Sequence, residues 1–290
     1  MNAAPQDSRP AVGESEELST IEDARIVEAS GIAASERFPG CAWIHNDSGD
    51  EARVFLVDVR SGKTRSTVKL AGATNVDWED ICLARGDAPD RFDVCVADIG
   101  DNNAKRESLA IYRFAEADIP RPPPPTIEVT PRRFAIRYAD GPCDAESYAV
   151  HPKTGVGYVF TKRRSGGAAI YRMDRWETAG VYVCPRVGEL RFPPTVPLET
   201  ILTAADFSPD GRRLAARSYV CGWEWRIPSK SPVPAANEAV ESLFSLTPER
   251  LPLTAESQGE GLGYERDGRA LLTVSELPHP AINRFFVSRD

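Results

Sequence analysis

The sequence predicts an all-β chain folded as a β-propeller, with five blades expected and six left open. Three observations carry this. Five segments repeat one strand–turn–strand pattern, helical periodicity is nearly absent, and the last repeat is one strand short of the others. Long-period repeats of this kind mark propellers and solenoids.

The five units begin at Ser30 ("SGIAASERFPGCAWIHND"), Glu79 ("EDICLARGDAPDRFDVCVAD"), Glu146 ("ESYAVHPKTGVGYVFTK"), Thr203 ("TAADFSPDGRRLAARSY") and Glu260 ("EGLGYERDGRALLTVSE"). Each opens on a small or acidic residue, runs through an apolar stretch, turns, and returns as a second apolar strand. The turns "HPKTG", "SPDG" and "ERDG" are rich in residues that accept turn dihedrals cheaply. Third strands follow at 53–59, 109–114, 168–173 and 282–288, and fourth strands at 66–72 and 132–138. Four antiparallel strands make a blade. A large β-sandwich is the alternative, but it gives no reason for five matching units.

The fifth unit offers only three strands before Asp290. The segment "IEDARIVEA" (21–29) is expected to supply the fourth and close the ring, which removes the exposed sheet edges. Residues 1–20 are polar and read as a disordered leader, so residues 21–290 form one propeller domain. The proline run "IPRPPPPT" (119–126) reads as an extended connection within the second blade, because proline cannot donate a ladder hydrogen bond. "RIPSKSPVPAA" (226–236) reads as a loop, and "NEAVESLF" (237–244) as the one short helix. Trp43, Trp78, Trp223 and Trp225 are expected to pack between blades.

The formal net charge of −8 argues against nucleic acid or an anionic membrane as a general partner. No apolar run approaches the ~18 residues of a membrane span. No n-region or h-region opens the chain. A secreted or periplasmic mature sequence is expected, with the cytoplasm left open, and a monomer. The six cysteines show no metal-finger spacing. Cys82 and Cys95 fall symmetrically about the turn "RGDAPD" and could face each other across a hairpin, or be two buried thiols; the expectation is that all six stay reduced.

The units align their first residues as Ser30, Glu79, Glu146, Thr203 and Glu260. Two residues earlier stand Glu28, Asp77, Asp144, Ile201 and Gln258. Inner strands of a propeller start beside the central channel, so these side chains are expected to share one mouth. Crowded carboxylates need raised pKa values, basic partners or a cation, and oxygen-only ligands favour calcium, or magnesium, over zinc. The expected metal ligands are Glu79, Glu146, Glu260 and Asp98; salt bridges to arginine are the competing reading. The second strands end on the same face at His45-Asn46-Asp47, Asp98, Lys162-Arg163-Arg164, Arg217 and Glu276. Lys162, Arg217 and Arg106 are the candidate substrate-binding cations. Glu79, Glu146 and His45 are the candidate bases. His151 falls in a turn on the opposite face and reads as structural. The loop "DIGDNNAKR" (98–106) reads either as an acidic cation loop or as an Asx-rich turn.

The stretches "SQGEGLGYERDG", "DAESYAVHPKTG" and "VDWEDI" resemble bacterial β-propellers of the phytase-like type and are more distantly similar to gluconolactonase propellers. The resemblance spans about residues 26 to 290, through short motifs. It implies that acidic residues opening the inner strands (Glu79, Glu146, Glu260) hold calcium, with Lys162 and Arg217 binding phosphate. Ser30 and Thr203 stand where that pattern leads one to expect acids. Two functions follow as expectations. One is a calcium-dependent hydrolase of a phosphoester or lactone acting on a small anionic or ester substrate. The other is a non-catalytic, extracytoplasmic binding propeller.

Overall fold

Each of the five repeats folds as the inner hairpin of one blade in the computed structural model, which describes residues 11–88, 90–193 and 195–288. The first segment is β1 (Ser15–Thr20). Blade 1 follows with β2 (Ala29–Ala34), β3 (Cys41–Asn46), β4 (Arg53–Asp58) and β5 (Thr64–Leu70). Blade 2 holds β6 (Trp78–Arg85), β7 (Phe92–Asp98) and β8 (Leu109–Ala115). The chain then makes β9 (Thr126–Val129) before the fourth strand of blade 2, β10 (Arg132–Tyr138). Blade 3 has β11 (Ala145–Val150), β12 (Gly157–Thr161) and β13 (Ala168–Met173), then β14 (Val181–Cys184) and its outer strand β15 (Arg186–Leu190). Blade 4 has β16 (Leu202–Phe207), β17 (Arg213–Ser218), β18 (Gly222–Arg226), the short helix α1 (Asn237–Glu241) and β19 (Glu249–Leu251). Blade 5 has β20 (Gly259–Tyr264), β21 (Ala270–Ser275) and β22 (Ala281–Phe286). The propeller has five blades, not six.

The inner strands are buried along almost their whole length, because each is flanked by a blade on either side. That is why they read as unbroken runs of apolar and small residues rather than as an alternation. Five apolar clusters fill the five gaps between neighbouring blades. Trp43 and Trp78 lie in the gap between blades 1 and 2, and Trp223 and Trp225 in that between blades 3 and 4, as expected of them. A fully buried side chain of this size stabilises by about 1.5–3 kcal/mol or more.

Three expectations need correction. The ring closes through β1, which pairs antiparallel with β22 from Ser15↔Phe285 to Thr20↔Ala281. The segment 21–29 is instead a connection into blade 1, and it sends Ile21 and Ile26 into the gap between blades 5 and 1. The leader therefore does not reach residue 20; its residues 1–10 lie outside the described residues. Finally, the proline-rich connection does not stay within blade 2. Its β9 runs parallel to β5 and becomes a fifth strand of blade 1. Strand β14 does the same for blade 2, running parallel to β10. From blade 4, Val240, Leu243 and Phe244 of α1 and the turn after it pack against Tyr158, Phe160 and Ile170 of blade 3.

Cys82 and Cys95 do stand opposite each other across the β6–β7 hairpin, both buried, and all six cysteines are free. His151 is buried and joins two turns, with Nε2 3.0 Å from the Gly211 carbonyl oxygen. Among the described residues, no helix is long and apolar enough to cross a membrane.

Candidate functional site

One local irregularity repeats five times and shapes the mouth of the channel. The pairing of each inner strand with its neighbour slips by one residue, at Ser30, Glu79, Glu146, Thr203 and Glu260. A β-bulge leaves one residue unpaired and re-aims its side chain. The aligned column is thus a ring of bulges. Two members tie neighbouring blades together. Ser30 Oγ donates to the Glu79 carbonyl oxygen at 2.8 Å, and Thr203 Oγ1 to the Gly259 carbonyl oxygen at 3.0 Å. The three glutamates carry the charge, and each is at least 95% buried.

The stretch "NVDWEDI" shows how the charge is arranged. Asn75 reaches blade 1, donating from Nδ2 to the Asp47 carbonyl oxygen at 2.6 Å. Asp77 stays on the rim. Trp78 turns into the apolar gap, and its indole N–H donates to the Thr74 carbonyl oxygen. Glu79 turns into the mouth. Asp80 lies deeper, fully buried. Its carboxylate accepts backbone N–H groups from Ile81, Tyr148 and Ala205, so it bridges blades 2, 3 and 4.

Oxygens of Asp47, Asp77 and Glu79 all lie within 4.8 Å of one another. Gly100 covers them from the β7–β8 loop. A Cβ on Gly100 would stand 2.1 Å from Glu79 Oε1 and 2.5 Å from Asp77 Oδ2, so only glycine lets the loop approach this closely. At such separations each pair of charges costs about 3 kcal/mol at an effective dielectric of 20. The protonation of the group reflects that cost. Burial, then Glu146 and the aspartates, push Glu79 well above the usual carboxylate range. Burial raises Asp47 and Asp77 to about 6 each.

Glu146 borders this group. Burial lifts it to about 7, against the pull of Lys162, whose Nζ lies 2.6 Å from its Oε1. Lys162 also lies 5.4 Å over the Tyr219 ring. Glu260 stands further round, nearer Lys162 and Glu276. Its buried Oε2 has no hydrogen-bond partner among the described residues, and burial, with Glu146 second, raises it to about 9.

The structure thus brings Glu79 and Glu146 together and adds Asp47 and Asp77, which the sequence placed on the face but not among the ligands. The signal for Asp47 was its position at the end of a second strand, and for Asp77 its place two residues before the column. Asp98 is drawn away: it pairs with Arg106 at 2.7 Å and accepts the Asp77 N–H. Arg217 is buried against Glu256 at 2.8 Å, in space that Gly259 leaves open for lack of a Cβ. Lys162, Arg106 and Arg217 are therefore all held by carboxylates. His45 is fully buried, edge-on to Trp78, with burial lowering it to about 4. Within the loop 98–106, Asp101 accepts the N–H groups of Lys105 and Arg106 through its two carboxylate oxygens.

No protein-family model matches this chain, and no curated protein matches it. Solved structures do. The chain is similar to the PQQ-bound aldose sugar dehydrogenase of Streptomyces coelicolor at 10% identity and a TM-score of 0.47, over 95% of this chain and 98% of that one. It is similar to a gluconolactonase of Xanthomonas campestris at 10% identity and a TM-score of 0.46, over 91% and 88%. A chain of a mitotic checkpoint complex gives 11% identity and a TM-score of 0.40, over 89% and 63%. None of these three is a phytase. At such identities no activity is carried over from them.

Proposed function

We propose that the acidic mouth holds an oxygen-preferring divalent cation, calcium before magnesium, between Asp47, Asp77 and Glu79, and that the protein hydrolyses a neutral ester of the lactone type beside it. The observation that supports this most is the set of three carboxylates from two blades, within 4.8 Å of one another and sealed by Gly100. The donor set is all oxygen, which suits calcium. A bound cation would supply Lewis acidity and lower the pKa of water. Glu146, at about 7, is poised to accept a proton from water near neutral pH. Lys162 holds that carboxylate in place.

A lactone fits better than a phosphoester. A phosphate would need free cations, and Lys162, Arg106 and Arg217 are each engaged by a carboxylate. The net negative field of the mouth repels dianions.

The test is thermal melting after thorough chelation, with calcium or magnesium restored, joined to a lactone-hydrolysis screen. At a hundredfold excess over Kd, a cation bound only to the folded state adds about 2.7 kcal/mol. Calcium should raise the melting temperature, and Glu79→Gln should abolish the response. An unmoved melting curve with both ions removes the cation site. A calcium response with no turnover of any lactone leaves the binding-module reading. One observation favours that second reading: Val27, Val76, Val196, Leu198, Val220 and Leu277 are exposed in the connections on the mouth's side. Apolar side chains exposed beside a polar centre would suit a docked partner.

A further inference from the structure

The opposite face carries arginines, and they surround a cavity of roughly 700 Å3. Its walls come from four places: the β2–β3 turn (Arg37), the β6–β7 turn with the start of β7 (Arg91, Phe92), the connection after β8 (Glu116, Arg121) and the β20–β21 turn (Arg266). Three acids also line it, and two of them are committed. Glu36 accepts from Arg266 Nε at 2.7 Å. Glu116 is buried and accepts three donors: Ser35 Oγ at 2.6 Å, Trp43 Nε1 at 2.7 Å and the Arg37 N–H at 3.0 Å. Asp90 alone remains to oppose Arg37, Arg91 and Arg121.

Those three cations lack carboxylate partners among the described residues. Arg37 spends only Nε, on the Ile119 carbonyl oxygen. The guanidiniums of Arg37 and Arg121 both stand over one ring, Phe38, at 5.7 and 5.5 Å from its centroid. One aromatic ring therefore holds two like charges at the edge of a cavity, an arrangement an anion would offset. Guanidinium is also the cation whose fork matches phosphate oxygens. A phosphate ion alone would leave most of the space empty, since cavities of ~300–1,000 Å3 hold drug-sized ligands. Phe92, partly exposed, offers an apolar wall.

We propose that this cavity binds a small organic phosphate, with the phosphate on Arg37, Arg91 and Arg121 and the organic body against Phe92. The site is independent of the cation site on the other face. Calorimetric titration of the full chain with phenyl phosphate, inorganic phosphate and sodium chloride at matched ionic strength tests it. Phenyl phosphate should saturate the protein and bind at least tenfold tighter than inorganic phosphate. The double variant Arg91→Ala/Arg121→Ala, which breaks no ion pair, should melt as wild type and bind phenyl phosphate at least tenfold more weakly. Glu79→Gln should bind it unchanged. Three results would each overturn the proposal: phenyl phosphate no tighter than phosphate, binding undiminished in the double variant, or binding equally suppressed in Glu79→Gln.

Discussion

The acidic mouth and the arginine-lined cavity on the opposite face carry opposite charges and are built in opposite ways. On one face, carboxylates sit on bulges of buried strands, where the backbone fixes them and burial shifts their protonation. On the other, arginines sit on hairpin turns and a connecting loop, in contact with water. The difference teaches where strain is tolerated. A charge on a strand cannot move away from its neighbours, so its cost appears as bound protons or demands a cation. A charge on a turn can swing toward a counter-ion and costs little.

Three experiments sharpen this contrast, and the largest effect comes first. Both faces exist only while the ring is closed by β1. Removing residues 1–20 should therefore unfold or oligomerise the protein, as read by thermal melting and size-exclusion chromatography, whereas removing 1–10 should change little. A stable monomer without β1 would show that closure rests on the apolar gap between blades 5 and 1 alone.

The second effect is on pH. Glu260, at about 9, and Glu146, at about 7, stand above the ordinary 4.5, and Asp47 and Asp77, at about 6, above 3.8. Between pH 4.5 and 9 the folded protein keeps protons that the unfolded chain has released. Stability of the cation-free protein must then fall as pH rises through that window, by about 4 kcal/mol for Glu260 alone between pH 5 and 8. Denaturant melts across that range should show the decline, and Glu260→Gln should flatten it. A flat profile in the wild type would mean that the mouth is better solvated than its geometry implies.

The smallest effect belongs to the turn face. Arg266→Ala removes the partly exposed pair with Glu36 and should cost no more than about 1 kcal/mol. A loss above 2 kcal/mol in equilibrium unfolding would show that the turns are as constrained as the bulges.

The blades were legible because each inner hairpin is buried on both sides and keeps its apolar run and turn residues in every repeat. The column Ser30, Glu79, Glu146, Thr203, Glu260 was legible for the same reason, although nothing in the residues announces a bulge. Strand β1 was missed because an outer strand facing water on much of its surface reads as polar; "SEELST" is mostly exposed or half-buried. Strands β9 and β14 are short, belong to no repeat and pair with a blade other than their own, so no local pattern reveals them. The pairing of Arg217 with Glu256 and of Arg106 with Asp98 depends on distances that spacing alone does not supply.

The donated strands also set a timetable for the growing chain. Blade 1 exposes the outer edge of β5 until residues 126–129 have been made, and blade 2 exposes that of β10 until residues 181–184 follow. These two blades are thus finished by material synthesised after them. The final blade reverses the order, because its outer strand β1 is made before the other described strands of the propeller. On a ribosome adding about 5–20 residues per second, β1 waits on the order of 15 to 50 seconds for β22. Through that interval it is an unpaired strand, and its charged, water-facing residues Glu16 and Glu17 discourage it from joining the edge of another chain.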